Sequence, residues 1–211
     1  MSVFKEHWNK IYTNNPITQL GWYEAKPFPS AQLIERCAVP KHYPIVDIGS
    51  GASTLIPHLL ELGYQNLYAI DISDVALEKA KAVLGKDRAA QVHWIVDDIT
   101  NPSTVLQLEN AAVWHDRAVF HFLTEEQHRQ MYHSVLQNVV MPEGYVIMAT
   151  FAMDGATKCS GLPVQRYSTE SLGEFLGDGF RLVESLDYTY RMPSGDLRPY
   201  VYALFQKIQA V

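Results

Sequence analysis

The sequence predicts an α/β fold in which helices cover both faces of a mostly parallel sheet. After residue 30, short β-rich runs alternate with helical stretches, the pattern that a covered parallel sheet produces. Small residues, Gly49, Ser50 and Gly51, directly follow the first apolar run. The 211 residues can bury one core, and no repeat or linker divides them. We therefore expect a single domain over residues 1–211.

The alternating pattern predicts five strands with intervening helices over residues 43–152. The strands are expected at "YPIVDIG", "NLYAIDI", "QVHWIVDDI", "AAVWHDRAVF" and "GYVIMATFA". Helices are expected over 54–62, over "SDVALEKAKAVLG", and from a capping box of Thr124 and Gln127 to a stop before Pro142. A short helix at "STESLGEFLG" then precedes "FRLVESLDYTYRM" and "RPYVYALFQK", which the turn "PSGDL" joins into a hairpin.

Composition and charge exclude several classes of partner. The net charge is -6 and no basic run is present, so we do not expect nucleic acid as a partner. The N-terminus lacks the apolar core of a signal peptide, and "YVIMATFAM" is too short to span a membrane. Cys37 and Cys159 have neither disulfide-framework nor metal-ligand spacing. A cytoplasmic protein without a metal site or a membrane partner is expected.

Four predicted strands end in an acid. The residues are Asp47, Asp71, Asp98 and Asp116. Ligands of a doubly wound sheet bind outside the carboxyl ends of its strands, so these residues carry functional information. A row of carboxylates repels itself unless solvent or a ligand with donors and positive charge lies against it. The alternative is that these acids are simply solvated at loop starts.

The glycine stretch narrows the choice of ligand. Gly49 and Gly51 allow close approach of a nucleotide-like cofactor, but the dinucleotide fingerprint requires glycine where Thr54 stands. Asp47 precedes the glycines and would repel a pyrophosphate. A cationic cofactor would be attracted instead. S-adenosylmethionine is such a ligand, since its sulfonium and α-amino groups are positive and it carries no phosphate.

Three motifs resemble those of class I S-adenosylmethionine-dependent methyltransferases. "VDIGSGAST" resembles their glycine-rich first motif, which would place Asp47, Gly49, Ser50, Gly51 and Thr54 at the cofactor. "YAIDIS" resembles the second motif, whose acid binds both ribose hydroxyls, and "VDDIT" the third, whose acid accepts from the adenine amino group. The corresponding residues are Asp71 with Ile72, and Asp98 with Ile99.

The resemblance implies a Rossmann-like fold with a seven-stranded, mostly parallel sheet that ends in an antiparallel strand. "RPYVYALFQK" would supply that strand, and residues 43–152 would form the cofactor-binding core. "WHDR" stands where methyltransferases of nucleic-acid or glutamine amino groups have an "NPPY"-type tetrapeptide. That difference argues against those acceptors.

"WHDRAVFHFL" occupies the place of the family's fourth motif, beside the sulfonium and the acceptor. The resemblance implies that Trp114 and His115 line the cofactor, and that Asp116, Arg117 and His121 lie near the acceptor. His115 or His121 could accept a proton near neutral pH if the acceptor needs a base. Alternatively, His121 lies in the core, and Arg117 forms a structural ion pair with Asp116.

The first thirty residues predict an aromatic flap of helix, loop and entry to a second helix near Ser30. Trp8, Tyr12 and Trp22 resemble the opening segment of small methyltransferases of this class, including protein-lysine methyltransferases, in which such residues lie near the cofactor. The flap would exclude water from the transfer. The alternative is a helix that packs Trp8 and Tyr12 on the domain.

Residues 153–211 are expected to provide a substrate-side loop followed by the C-terminal hairpin. The long stretch "MDGATKCSGLPVQRYS" favours a functional role, with Cys159 and Arg166 as candidate acceptor-binding residues. A free thiol such as Cys159 is more often inert than nucleophilic.

We therefore expect a methyltransferase that uses S-adenosylmethionine and acts on a small-molecule acceptor. A protein lysine is the alternative acceptor. A nicotinamide-dependent oxidoreductase and a non-catalytic module that engages a partner protein are the rivals from other classes. The acceptor atom, the use of a base and the oligomeric state do not follow from the sequence.

Overall fold

The computed structural model describes residues 3–209 and contains nine strands in that range. Seven strands form one sheet, and two short strands form a separate hairpin. In chain order the strands are β1 Ile45–Ile48, β2 Leu67–Asp71, β3 Val92–Val96, β4 Ala111–Arg117, β5 Val140–Phe151, β6 Lys158–Cys159, β7 Leu162–Pro163, β8 Phe180–Arg191 and β9 Leu197–Lys207.

Helices lie between the strands and before the first of them. They are α1 Val3–Asn14, α2 Ser30–Arg36, α3 Leu55–Glu61, α4 Asp74–Leu84, α5 Lys86–Ala89, α6 Glu126–Val139 and α7 Thr169–Leu176. Single 3₁₀ turns occur at Ile17–Gln19, Val105–Gln107 and Phe120–Phe122. Within residues 3–209, none of the helices has both the length and the apolar character needed to cross a membrane.

The order of the main sheet is β3-β2-β1-β4-β5-β9-β8. Strands β1 to β5 are parallel, whereas β9 pairs antiparallel with both β5 and β8. The predicted seven-stranded sheet with an antiparallel C-terminal strand is therefore confirmed. The direction of winding reverses between β1 and β4, so a crevice opens at the carboxyl ends of these strands.

Strand alternation divides the core between the two faces of the sheet. On β5, Val146 and Met148 pack in one cluster with α6 and α7, whereas Ile147 and Ala149 pack in the other with α2 and α3. On β4, Trp114 belongs to the first face. Side chains alternate along a strand, so His115 and Arg117, one and three residues after Trp114, point to the opposite face.

Two local expectations need correction. The α6 helix begins at Glu126 without a side-chain cap, so the capping box of Thr124 and Gln127 is wrong. There, Arg129 donates to the carbonyl oxygens of Leu123 and Thr124. Strand β3 ends at Val96, before the predicted Asp98, because the side chain of Asp97 turns the chain.

Asp97 fixes the loop that follows β3. Its carboxylate oxygens accept from the backbone N–H groups of four residues, at 2.8 to 3.2 Å, and from one hydroxyl. The N–H donors belong to Asp98, Ser103, Thr104 and Val105, and the hydroxyl is that of Ser103. These bonds pull the loop back against the end of the sheet.

The first helix docks on the N-terminal end of α4. The hydroxyl of Ser73, which caps α4, donates to Asn9 Oδ1 at 2.6 Å, and Asn9 Nδ2 donates to Asp74 at 3.1 Å. Lys79 donates to the carbonyl oxygens of Tyr12 and Asn15. These bonds place the aromatic face of α1 beside the carboxyl edge of the sheet.

We predict that Tyr132→Phe lowers the free energy of unfolding by about 2–4 kcal/mol, because the hydroxyl bridges two buried polar groups. It accepts from Trp114 Nε1 at 2.9 Å and donates to Asp116 Oδ2 at 2.8 Å. The matched control is Tyr167→Phe, since the buried hydroxyl of Tyr167 has no hydrogen-bond partner among the described residues. Urea unfolding should show little change for the control, and equal effects of the two substitutions would contradict the prediction.

Candidate active site

Two adjoining cavities open at the carboxyl edge of the sheet. The main cavity encloses about 910 Å³ including its mouth, and the second about 560 Å³. Of the predicted site residues, the main cavity is lined by Trp8, Tyr12, Trp22, Gly49, Asp71, Ile72, Asp98, Ile99, Arg117 and Cys159. The second cavity shares Trp22, Gly49 and Arg117 with it and adds Asp47, Ser50, Thr54 and His115.

The glycine turn after β1 needs glycine at two positions. Gly49 has a φ of +63°, and a Cβ there would lie 1.9 Å from Val119 Cγ2. Gly51 has a φ of +54°, and a Cβ there would lie 2.3 Å from the Tyr12 hydroxyl. Any larger residue would therefore be strained and would displace a wall of the site.

Asp71, at the end of β2, is held by the glycine turn. Its Oδ2 accepts from the Gly51 N–H and its Oδ1 from the Ser73 N–H, both at 2.8 Å. Burial raises the pKa of Asp71 to about 6, although the two N–H donors oppose that rise. Each oxygen keeps acceptor capacity toward the cavity.

At the next strand end, two adjacent acids have different roles. Asp97 uses both carboxylate oxygens to hold the 98–105 loop. Asp98 accepts from Thr100 through Oδ1, from the backbone N–H at 2.9 Å and the hydroxyl at 2.6 Å. Both line the main cavity beside Ile99. Asp98 therefore retains more acceptor capacity toward a ligand than Asp97 does.

Asp47 and His115 form a buried pair across β1 and β4. Asp47 Oδ1 lies 2.7 Å from His115 Nδ1, and His115 Nε2 lies 2.8 Å from Ser30 Oγ. The order of Asp, His and Ser resembles that of a hydrolytic triad, but Ser30 is only 1% exposed. His115 instead orients the carboxylate of Asp47, whose Oδ2 is buried and has no hydrogen-bond partner within residues 3–209.

Trp114 and Asp116 do not line either cavity, which corrects the expectation for both. They lie on the face of β4 that packs against α6, where they share the hydroxyl of Tyr132. Asp116 also accepts from the N–H groups of Val119 and Phe120. Burial raises the pKa of Asp116 to about 6. Its role is to hold the turn after β4, not to meet the acceptor.

His121 is a core residue, as the alternative reading of the sequence had it, but it is not the hydrogen-bonded histidine which that alternative expected. Its ring lies 4.5 Å, centroid to centroid, from those of Phe122 and Phe151, and neither ring nitrogen has a partner among the described residues. Burial, aided by the charge of Arg117, lowers the pKa of His121 to about 3. The ring is neutral at physiological pH and lines neither cavity.

The three candidate acceptor-binding residues lie in different surroundings. Arg117 lines both cavities, but its ionic partner is Glu24, at 3.2 Å, and not Asp116. Cys159 lines the main cavity, and burial raises the pKa of its thiol, which disfavours the thiolate. Arg166 lies outside both cavities, with its nearest polar contact at the Gly155 carbonyl, 3.5 Å away.

Glu24 and Ser30 are site residues that the sequence did not indicate. Both line the second cavity, and both contact residues of β4 that lie more than 80 positions away in the chain. No local spacing signals such contacts. The proximity of Glu24 to Trp22 in sequence was the one available hint.

Comparisons with known proteins agree with this geometry. Residues 45–144 match the model of a methyltransferase domain family. EEF1A lysine methyltransferase 2 of Danio rerio is 27% identical over 195 residues, which cover 86% of this chain and 77% of that protein.

Two solved structures share the fold. One is a SAM-dependent methyltransferase from Anabaena variabilis, with a TM-score of 0.74, 15% identity and coverage of 97% of this chain and 93% of that one. The other is the 1,6-didemethyltoxoflavin-N1-methyltransferase of Burkholderia thailandensis, solved with its substrate and S-adenosylhomocysteine, with a TM-score of 0.69, 16% identity and coverage of 97% and 84%. Residues 45–144 therefore match a methyltransferase domain, and the chain has the fold of the two S-adenosylmethionine-dependent methyltransferases described above.

Proposed function

We propose that the methyl acceptor is an uncharged amine, in the first place the ε-amino group of a lysine in a protein. The observation that carries the proposal is the lining of the main cavity. Among the described residues that line it, Asp97 holds a loop, and Asp71 and Asp98 are assigned below to the cofactor. Burial raises the pKa of Tyr12 and of Cys159, and Arg117 is a cation, so no ionisable group of the lining is left to take a proton from an acceptor. His115 lies in the second cavity with both ring nitrogens engaged.

An amine suits such a site better than a hydroxyl does. A neutral amine attacks through its own lone pair, whereas a hydroxyl needs a base to become a good nucleophile. Desolvation in the cavity lowers the pKa of an incoming ammonium group, which favours its neutral form.

The relative from Danio rerio, whose name specifies lysine methylation of EEF1A, supports a protein lysine as the acceptor. A small-molecule amine is the second candidate. The aromatic side chains Trp8, Trp22 and Phe122 pack edge to face at 5.1 to 5.6 Å along the main cavity, a cover that suits a small acceptor. The Burkholderia enzyme, which methylates a small molecule, has this fold as well.

For the cofactor, we assign the ribose to Asp71 and the adenine to Asp98 and Ile99. Asp71 faces the main cavity with acceptor capacity for two hydroxyl donors. Ile72 and Ile99 line the same cavity and offer apolar contact. The residues present therefore fit a nucleoside with no phosphate.

The methionine end of the cofactor is assigned to the junction of the two cavities. Asp47 lines the second cavity, and its Oδ2 is buried without a hydrogen-bond donor among the described residues, a costly arrangement that an ammonium group would relieve. When bound, S-adenosylmethionine supplies a methyl group on a positively charged sulfur. Trp8 and Trp22 exclude water beside that position, and the walls of the main cavity orient the acceptor.

We predict that Gly49→Ala abolishes cofactor binding, because its Cβ would meet Val119 Cγ2 at the junction of the cavities. Gly85→Ala is the matched control, since Gly85 has a φ of +81° and open space around a Cβ. Both should lose stability to backbone strain, because both glycines have a positive φ, but only Gly49→Ala should lose affinity. Calorimetric titration with S-adenosylmethionine on the folded variants measures this. Unchanged affinity in Gly49→Ala would refute the assignment.

We predict that cofactor affinity falls below pH 6. Because burial raises the pKa of Asp71 to about 6, its carboxyl takes up a proton as the pH falls through this value and then accepts hydroxyl donors less well. The dissociation constant should rise by about tenfold per pH unit below 6. Asp71→Asn should bind weakly with a flat pH profile. An equal pH slope in the variant would show that another group, such as Asp116, is responsible.

The acceptor is tested with S-adenosylmethionine carrying a tritiated methyl group. Purified EEF1A, EEF1A with chemically blocked lysines, and small primary amines are the acceptors, and Asp71→Ala is the inactive control. We expect label on a lysine of EEF1A, identified by mass spectrometry, and none on the blocked protein. Label on small amines alone would support the second candidate. Cofactor binding without transfer to any amine would contradict the proposed function.

A further inference from the structure

A partly buried arginine ties the N-terminal segment to the end of β4. Arg117 Nη1 donates to the Trp22 carbonyl oxygen at 3.1 Å, and Nη2 lies 3.2 Å from Glu24 Oε1. Its Nε donates to the Tyr202 hydroxyl at 3.0 Å. One side chain thus joins β4, β9 and the segment of residues 22–24.

Tyrosine rings hold the same guanidinium group in place. Its central carbon lies 5.2 Å from the ring centroids of both Tyr190 and Tyr200. The Tyr190 hydroxyl donates to the Tyr23 carbonyl oxygen, which gives the 22–24 segment a second tether from the C-terminal hairpin. Tyr190 lines neither cavity, so this tether acts at a distance from any ligand.

The 22–24 segment forms the wall between the two cavities. Trp22 lines both, and its Nε1 donates to the Tyr12 hydroxyl at 3.3 Å. That hydroxyl lies against Gly51, where a Cβ would come within 2.3 Å. On the other side, the Glu24 carbonyl oxygen accepts from Thr54 Oγ1 at 2.9 Å. The position of this segment therefore fixes the side chains that contact the glycine turn after β1.

The bonds of Arg117 leave it poorly suited to bind an acceptor as well. Burial alone would lower the pKa of Arg117, but contacts with Tyr202, Tyr200 and Glu24 raise it above its ordinary value, so the side chain stays charged. A lysine has one compact ammonium group and could not reproduce the hydrogen bonds from Nε and Nη1 together with the ionic contact between Nη2 and Glu24.

We propose that Arg117 is a positioning residue that holds the 22–24 segment as the wall between the cavities and thereby sets the affinity for S-adenosylmethionine, without contacting the acceptor. The proposal does not depend on which acceptor the enzyme uses. Failure of the lysine test above would leave it unaffected.

The test compares Arg117→Lys, Tyr190→Phe and the control Tyr188→Phe. Tyr188 lies on the same strand as Tyr190, but its hydroxyl makes no hydrogen bond to the described part of the chain. We expect the cofactor dissociation constant to rise about tenfold or more in Arg117→Lys and about fivefold in Tyr190→Phe, and to stay nearly constant in the control. Amide hydrogen exchange over residues 20–28 should quicken in the first two variants only.

Thermal unfolding shows which variants remain folded. If Arg117→Lys does not fold, the cofactor affinity and hydrogen exchange of Tyr190→Phe test the proposal, since this variant removes one hydroxyl outside both cavities. Two results would overturn the proposal. One is unchanged cofactor affinity in a folded Arg117→Lys variant, which would show that Arg117 does not set that affinity. The other is unchanged affinity and unchanged exchange over residues 20–28 in Tyr190→Phe.

Discussion

Four buried carboxylates lie along one edge of the sheet, and a buried charge is costly unless hydrogen-bond donors face it. The protein supplies donors to three of them: the glycine turn and the start of α4 to Asp71, the 98–105 loop to Asp97, and Tyr132 with the turn after β4 to Asp116. Asp47 receives a partner on one oxygen only. The incomplete satisfaction of this one carboxylate marks where a cationic ligand is needed.

The contacts that hold these carboxylates also involve the side chains that could have served as a catalytic base. Neither of the two histidines considered as a base is free to act as one. His115 is hydrogen-bonded to Asp47 and Ser30, and His121 is buried in the core. The proposed transfer would thus rely on positioning and exclusion of water, which suffices for an acceptor that brings its own lone pair. Arg117 extends the same network to the C-terminal hairpin and the aromatic segment.

Much of the fold and half of the site could be predicted from the sequence, because their signals are local. The glycine turn and Asp71 lie beside apolar runs of strand length, and the hairpin has a turn of typical composition. The roles of Trp114 and Asp116 were mispredicted because the sequence places them at the end of a strand but does not say which face carries the cavity. Glu24 meets Arg117 across 93 residues, and no periodicity encodes that contact.

A crystal structure of the protein with S-adenosylhomocysteine would test the central claim most directly, namely that the carboxyl edge holds the cofactor through Asp71 and Asp47. The account predicts the ribose hydroxyls within hydrogen-bond distance of the Asp71 carboxylate and the α-amino group within hydrogen-bond distance of Asp47 Oδ2. A nucleoside bound elsewhere, or an α-amino group directed away from an Asp47 Oδ2 that stays without a donor, would contradict it.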